Sequence, residues 1–174
     1  MTDLLVLCTG NAARSVMAGF MLEALAEGRP DPLHIVTAGT HSIDGQPMGL
    51  RTRTALLRIP ELAGADFRRH RSRQVQGVDL VHAQLVVVME ADHVRFVRRR
   101  FPDAASKTAT LRRLCADLLP GPPELSARIA TLCLADVEVS GDEDVMDPAG
   151  HEDDVYAACA EELWDLCRTL VKLL

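Results

Sequence analysis

Short, almost continuous apolar runs alternate along the chain with longer segments whose apolar positions recur every three or four residues. That alternation predicts strands and helices in turn. Residues 4–7 read as a first strand, and residues 15–26 as an amphipathic helix stopped by Gly28. A second strand is expected at 33–36, then a loop over 38–46 and a helix over 47–59. Residues 85–89 have the apolar continuity of a strand covered on both faces. A helix at 93–100 and a fourth strand at 108–111 follow. Pro120, Gly121, Pro122 and Pro123 separate two helical patterns, 111–118 and 125–134. Near the end, Val155, Cys159, Leu163, Leu166, Leu170 and Leu173 form one helical stripe, with Trp164 and Cys167 beside it. Cys159, on the stripe, reads as a core residue. The order implies an α/β fold: a four-stranded parallel sheet with helices on both faces, a flavodoxin-like three-layer architecture. Such sheets bind ligands outside the carboxyl ends of their strands, and Cys8 directly follows the first strand.

Composition narrows the class. A chain of 174 residues, 48% apolar, is long enough for a sizeable core and fits one domain over 1–174. It contains no apolar span of membrane length, and Met1-Thr2-Asp3 before the first strand leaves no room for a signal peptide. A cytoplasmic protein without a membrane partner is expected. Five cysteines, an odd number without a Cys-x-x-Cys pair, suggest neither a disulfide framework nor a zinc site. A net charge of −6 argues against nucleic acid as a partner.

The candidate chemistry lies in Cys8-Thr9-Gly10-Asn11-Ala12-Ala13-Arg14-Ser15. A strand followed by a sharp turn and a helix start lets the N–H groups of residues 9–14 converge on one point, with Gly10 expected to supply the conformational freedom. The first turn of the helix adds its own N–H groups and its positive dipole end. Arg14 contributes a planar fork for two oxygens of a phosphoryl group. Positive charge and a helix N-terminus both favour a thiolate, so Cys8 reads as a nucleophile facing a bound oxyanion. A second element is Asp147-Pro148, where Pro148 holds Asp147 out of helix. Departure of an alkoxide or phenolate from phosphorus needs a proton, and a carboxylic acid in a loop can supply it.

The octapeptide resembles the active-site loop of the low-molecular-weight protein tyrosine phosphatases, with its pattern C-x-G-N-x-x-R-S near the N-terminus. The Asp147-Pro148 pair before the last helix, Thr37-Ala-Gly-Thr40, and His70-Arg-Ser-Arg-Gln-Val75 extend the likeness over most of the chain. The resemblance implies a phosphatase that dephosphorylates phosphotyrosine in proteins through a phosphocysteine on Cys8. Arg14 and the loop amides of Thr9, Gly10, Asn11, Ala12 and Ala13 would hold the phosphoryl group, with Asp147 as general acid. It also implies that Asn11, Thr37 and His70 support the loop and that Ser15 assists the sulfur. No metal or other cofactor is expected, because the amides and Arg14 supply the electrostatic stabilisation.

The chain departs from the pattern in places. Ala13 stands where many members have a second loop cysteine, and neither the loop 40–45 nor Ala149-Gly150 carries the tyrosine or tryptophan that lines a phenol cleft. Ile43 and Ala149 are the expected cleft residues. Two relatives on the same scaffold are alternatives. An arsenate reductase would use an external small thiol, since residues 89–101 hold no cysteine pair. A protein arginine phosphatase favours Thr where Ala12 stands. A phosphate-binding module without turnover is a third, non-enzymatic reading.

Overall fold

A computed structural model describes residues 2–122 and 124–174. Four strands, β1 (Thr2–Cys8), β2 (Leu33–Gly39), β3 (Leu85–Val88) and β4 (Thr108–Thr110), form a parallel sheet in the order β2-β1-β3-β4. Both central strands, β1 and β3, bury nearly every side chain, because each face of the sheet is covered. Leu4, Val6 and Cys8 pack on one side with the helices α1 (Arg14–Ala26), α2 (Leu50–Leu56), α5 (Leu111–Asp117) and α7 (Asp153–Leu173). Leu5 and Leu7 face the other side, toward α3 (Gly77–His82) and α4 (Ala91–Arg100). The expected fold class is therefore the observed one.

Several boundaries differ from the sequence reading, each for a local reason. The helix expected over 47–59 covers only Leu50–Leu56. Its start is delayed by extended backbone at Gly49, and beyond it Ile59, extended ahead of Pro60, leads into a 3₁₀ turn at Pro60–Leu62. Of the pattern over 125–134, only α6 (Leu125–Ala130) is helical, and Cys133 adopts a left-handed φ of 49°. Pro123 of the expected break lies outside the described residues, as does Met1. In α7 the stripe is as read, except that Cys167, placed beside it, is completely buried. Helix α3 went unread, although Asp79 accepts from the backbone N–H of Gln76 at 2.8 Å, the N-terminal signature of a capping box.

Strands β1 and β2 run farther than their apolar runs suggest. Parallel pairing continues to Cys8 opposite Gly39, so the last residues of both strands reach the carboxyl edge together. There Gly39 is wedged: a Cβ on it would lie 2.6 Å from the carbonyl oxygen of Thr9 and 2.8 Å from Cβ of Ser42. Gly39→Ala is expected to lower the unfolding free energy by about 1–3 kcal/mol in urea titrations, since the first obstacle is backbone and cannot rotate away.

Candidate active site

Every carbonyl from Cys8 to Ala13 is fastened from outside the turn that joins β1 to α1. Cys8 and Thr9 accept from the N–H groups of Thr40 and His41, each at 2.9 Å. Gly10 accepts from the Ser42 hydroxyl at 2.9 Å, Asn11 from Nε2 of His70 at 3.0 Å, and Ala12 from the Thr52 hydroxyl at 3.0 Å. Ala13 accepts from the N–H of Met17 at 2.8 Å, within the first turn of α1. A trans peptide plane points its N–H opposite to its carbonyl. With the carbonyls of 8–13 each committed to such a partner, the N–H groups of residues 9–14 point away from those partners.

The left-handed residue of this turn is Asn11, at φ 51°, and Gly10 is not among the positive-φ glycines. The expectation that Gly10 supplies the turn is corrected accordingly. Asn tolerates the left-handed region better than most residues with a side chain, and here its side chain fixes the conformation. Its Nδ2 donates to Oγ of Ser15 and to Oγ1 of Thr37, both at 3.0 Å, and its Oδ1 accepts from the N–H of Arg73 at 3.1 Å. Ser15 Oγ in turn lies 3.0 Å from Sγ of Cys8. Cys8, Asn11, Arg14 and Ser15 are all buried.

Arg14 is only 1% exposed, so its charge has to be met locally. One terminal nitrogen donates to the carbonyl of Val145 at 2.9 Å and pairs with Glu90, and the other donates to Oδ2 of Asp147 at 2.6 Å. The remaining guanidinium nitrogen, Nε, is buried without a hydrogen-bond partner among the described residues. Asp147 arrives on an arm laid across the end of β3. Asp144 accepts from the N–H of Ala91 at 2.7 Å, and the N–H of Val145 bonds the carbonyl of Met89 at 2.8 Å. Oδ1 of Asp147 then accepts from the N–H of Ala149 at 3.1 Å, turning the chain beyond buried Pro148. Ile43, 74% exposed, follows Ser42 on the loop fastened to Gly10, and Ala149 is also exposed.

Sequence reading missed Glu90, His93, Ser42 and Thr52. Glu90 lies two residues beyond the end of β3, at the carboxyl edge of the sheet, which was the available signal. His93 is buried, with Nε2 at 3.0 Å from Oγ1 of Thr9 and 3.5 Å from a Glu90 carboxylate oxygen. Burial, and then the nearby Arg14 charge, push its pKa down to about 4, against the opposing pull of Asp144, Asp147 and Asp92. Burial likewise lowers the pKa of His70. A neutral His70 whose Nε2 donates to Asn11 therefore suits its place under the loop. Elsewhere burial pushes Cys115 up to about 11 and Cys159 up to about 12, which leaves both thiols unreactive at neutral pH.

Fold and site together define a class: an α/β protein whose first strand delivers a cysteine into an amide-lined cradle closed by a buried arginine, as in cysteine-based phosphatases. The chain belongs to the low molecular weight phosphotyrosine protein phosphatase family, whose model matches residues 3–119. It is 29% identical over 173 residues to a protein-arginine-phosphatase of Geobacillus stearothermophilus, covering 98% of this chain and 95% of that one. It is 30% identical over 111 residues to the probable low molecular weight protein-tyrosine-phosphatase EpsP of Ralstonia solanacearum, covering 64% of this chain and 69% of the relative. Among solved structures, a low molecular weight protein tyrosine phosphatase from T. tengcongensis superposes with a TM-score of 0.78 at 26% identity, over all of both chains.

Neutral, buried His93 makes stability depend on pH. Below about pH 6.5 an unfolded chain takes up a proton that native His93 refuses until about pH 4, so stability falls as the pH falls through that window. Urea midpoints are expected to drop between pH ~6.5 and ~4.5. His93→Gln should flatten that slope, leaving the smaller part contributed by His70.

Proposed function

We propose that this phosphatase hydrolyses phosphorylated side chains of proteins through a phosphocysteine on Cys8. The observation that carries the reading is that all six carbonyls from Cys8 to Ala13 are taken by partners, which supports the N–H groups of 9–14 being left to meet one oxyanion. In the first step Sγ of Cys8 attacks phosphorus and the P–O or P–N bond to the leaving group breaks. The cradle amides, and the free Nε of Arg14, meet the equatorial oxygens. Ser15 Oγ, 3.0 Å from Sγ, donates to the sulfur when it carries negative charge. Asp147 shares the guanidinium fork that a bound dianion would also engage. A proton on Asp147 relieves the repulsion between those two anions and passes to the leaving atom as the bond breaks. In the second step ionised Asp147 takes a proton from water as the water oxygen attacks the phosphocysteine, releasing phosphate and restoring the thiolate.

Phosphotyrosine is the first substrate reading, in keeping with the family. A second reading, phosphoarginine, is favoured by specific observations. The site mouth carries carboxylates from Glu90 and Asp147 and no tyrosine or tryptophan in the loops 40–45 and 147–150, surroundings that suit a guanidinium better than a phenol ring. The similarity to a protein-arginine-phosphatase also spans nearly the whole chain. A panel of phosphotyrosine, phosphoserine and phosphoarginine peptides decides between them, with arsenate reduction by an external thiol run alongside.

Cys8→Ser is expected to abolish turnover of a small aryl phosphate while vanadate still binds the cradle; undiminished turnover would exclude the phosphocysteine. Asp147→Asn should lower kcat by about 10²–10⁴, with the largest losses for leaving groups of high pKa. Equal losses across a series of leaving groups would reduce Asp147 to a residue that only orders its loop.

A further inference from the structure

Beside the phosphate cradle, two clefts of about 400 and 710 Å³ share Thr40, His41, Phe96 and Arg99 and so form one continuous groove. Its near end is walled by Thr9, Glu90 and His93, against the first residues of the cradle. Its far end reaches Phe101 and Arg100. The floor is a file of edge-to-face rings, His41 on Phe96 at 5.5 Å and Phe96 on Phe101 at 6.1 Å, with both phenylalanines half-buried.

At the near end the lining carboxylates Glu90 and Asp92 are paired, with Arg14 and Arg95, whereas the charges at the far end are unspent. Helix α4 carries four arginines, and two of them are committed inside the molecule. Arg95 pairs with Asp92 and bonds the carbonyl of Val139 at 2.8 Å, while Arg98 bonds the carbonyls of Leu134 and Val137. Arg99 and Arg100 are exposed, and neither forms an ion pair among the described residues. Both line the groove. Their place in the last turn of α4 suits the helix dipole, yet that role needs no aromatic floor beside them. In a chain of net charge −6, two adjacent unpaired guanidinium groups over an apolar strip reverse the local sign.

We propose that this groove binds the polypeptide segment flanking the phosphorylated residue, and that it selects an acidic segment with an apolar side chain beside the acid. The inference rests on the phosphatase reading and gives it a substrate class. An apolar side chain covers the Phe96–Phe101 strip, and carboxylates pair with Arg99 and Arg100. The continuity of the groove with Thr9 lets one extended chain occupy the cradle and the groove together, since a strand advances about 3.3 Å per residue.

The test compares phosphotyrosine and phosphoarginine peptides whose flanks, within about six residues of the phosphorylated position, read either Asp-Glu-Leu or Lys-Lys-Leu. The acidic flank is expected to lower KM by about three- to tenfold with little change in kcat, an advantage that fades in high salt. The double variant Arg99→Glu, Arg100→Glu should abolish or invert that preference while turnover of a small aryl phosphate, which does not reach the groove, stays at the wild-type rate. Fluorescence anisotropy with a labelled, unphosphorylated acidic peptide reads the same groove without catalysis, and the variant should weaken that binding by a similar factor. Equal KM values for the two flanks, together with equal anisotropy titrations of variant and wild type, would overturn the proposal. Absence of turnover of the aryl phosphate and of both phosphopeptides by the wild type would instead overturn the phosphatase reading, with anisotropy still deciding the groove.

Discussion

The outward pull on six consecutive carbonyls is the constraint on which the rest of the site depends. Backbone amides bind an anion only when several converge, and a free loop of small residues has no reason to hold that shape. Here the carbonyl partners come from four places in the chain: the loop after β2, α2, the segment after the 3₁₀ turn at Phe67–Arg69, and the start of α1. The cradle is thus a property of how the fold closes around residues 8–14. Asn11 acts as the peg, joining Ser15, Thr37 and the backbone of Arg73 from one left-handed position.

Arg14 is the second commitment. Burying a guanidinium is costly unless its donors are met, and among the described residues two carboxylates and a carbonyl meet both of its terminal nitrogens. The same contacts organise distant parts of the chain. Glu90 comes from the end of β3, while Val145 and Asp147 come from the arm ahead of α7. The buried charge of Arg14 therefore also ties the arm that carries Asp147 across the sheet edge. That arm is anchored again at Ala91 and Met89, so Asp147 does not depend on Arg14 alone for its position.

Around this centre the surface is uneven in charge and in apolar character. Carboxylates gather near the cradle, whereas the C-terminal turn of α4 places uncommitted guanidinium groups along an aromatic floor.

Much of this was legible in the linear sequence. The apolar runs at 4–7 and 85–89 suit strands covered on both faces, being short and bordered by polar or turn residues where a buried helix would need a longer apolar segment. The Cys8 to Ser15 segment, with Thr37, His70 and Asp147-Pro148, pointed to a phosphate loop and its acid, and the structure gathers those residues at one sheet edge. Helix ends were less legible, since extended backbone at Gly49 before α2 and at Ile59 beyond it, and left-handed backbone at Cys133 beyond α6, form geometry that periodicity does not record. What only the tertiary structure decided was the set of partners from far along the chain: Thr52 for Ala12, Glu90 for Arg14, His93 for Thr9. Sequence determines which residues can bond within a turn or along a strand, where spacing fixes distance. Contacts between residues forty to eighty-four positions apart depend on how the layers stack, and no local spacing encodes that.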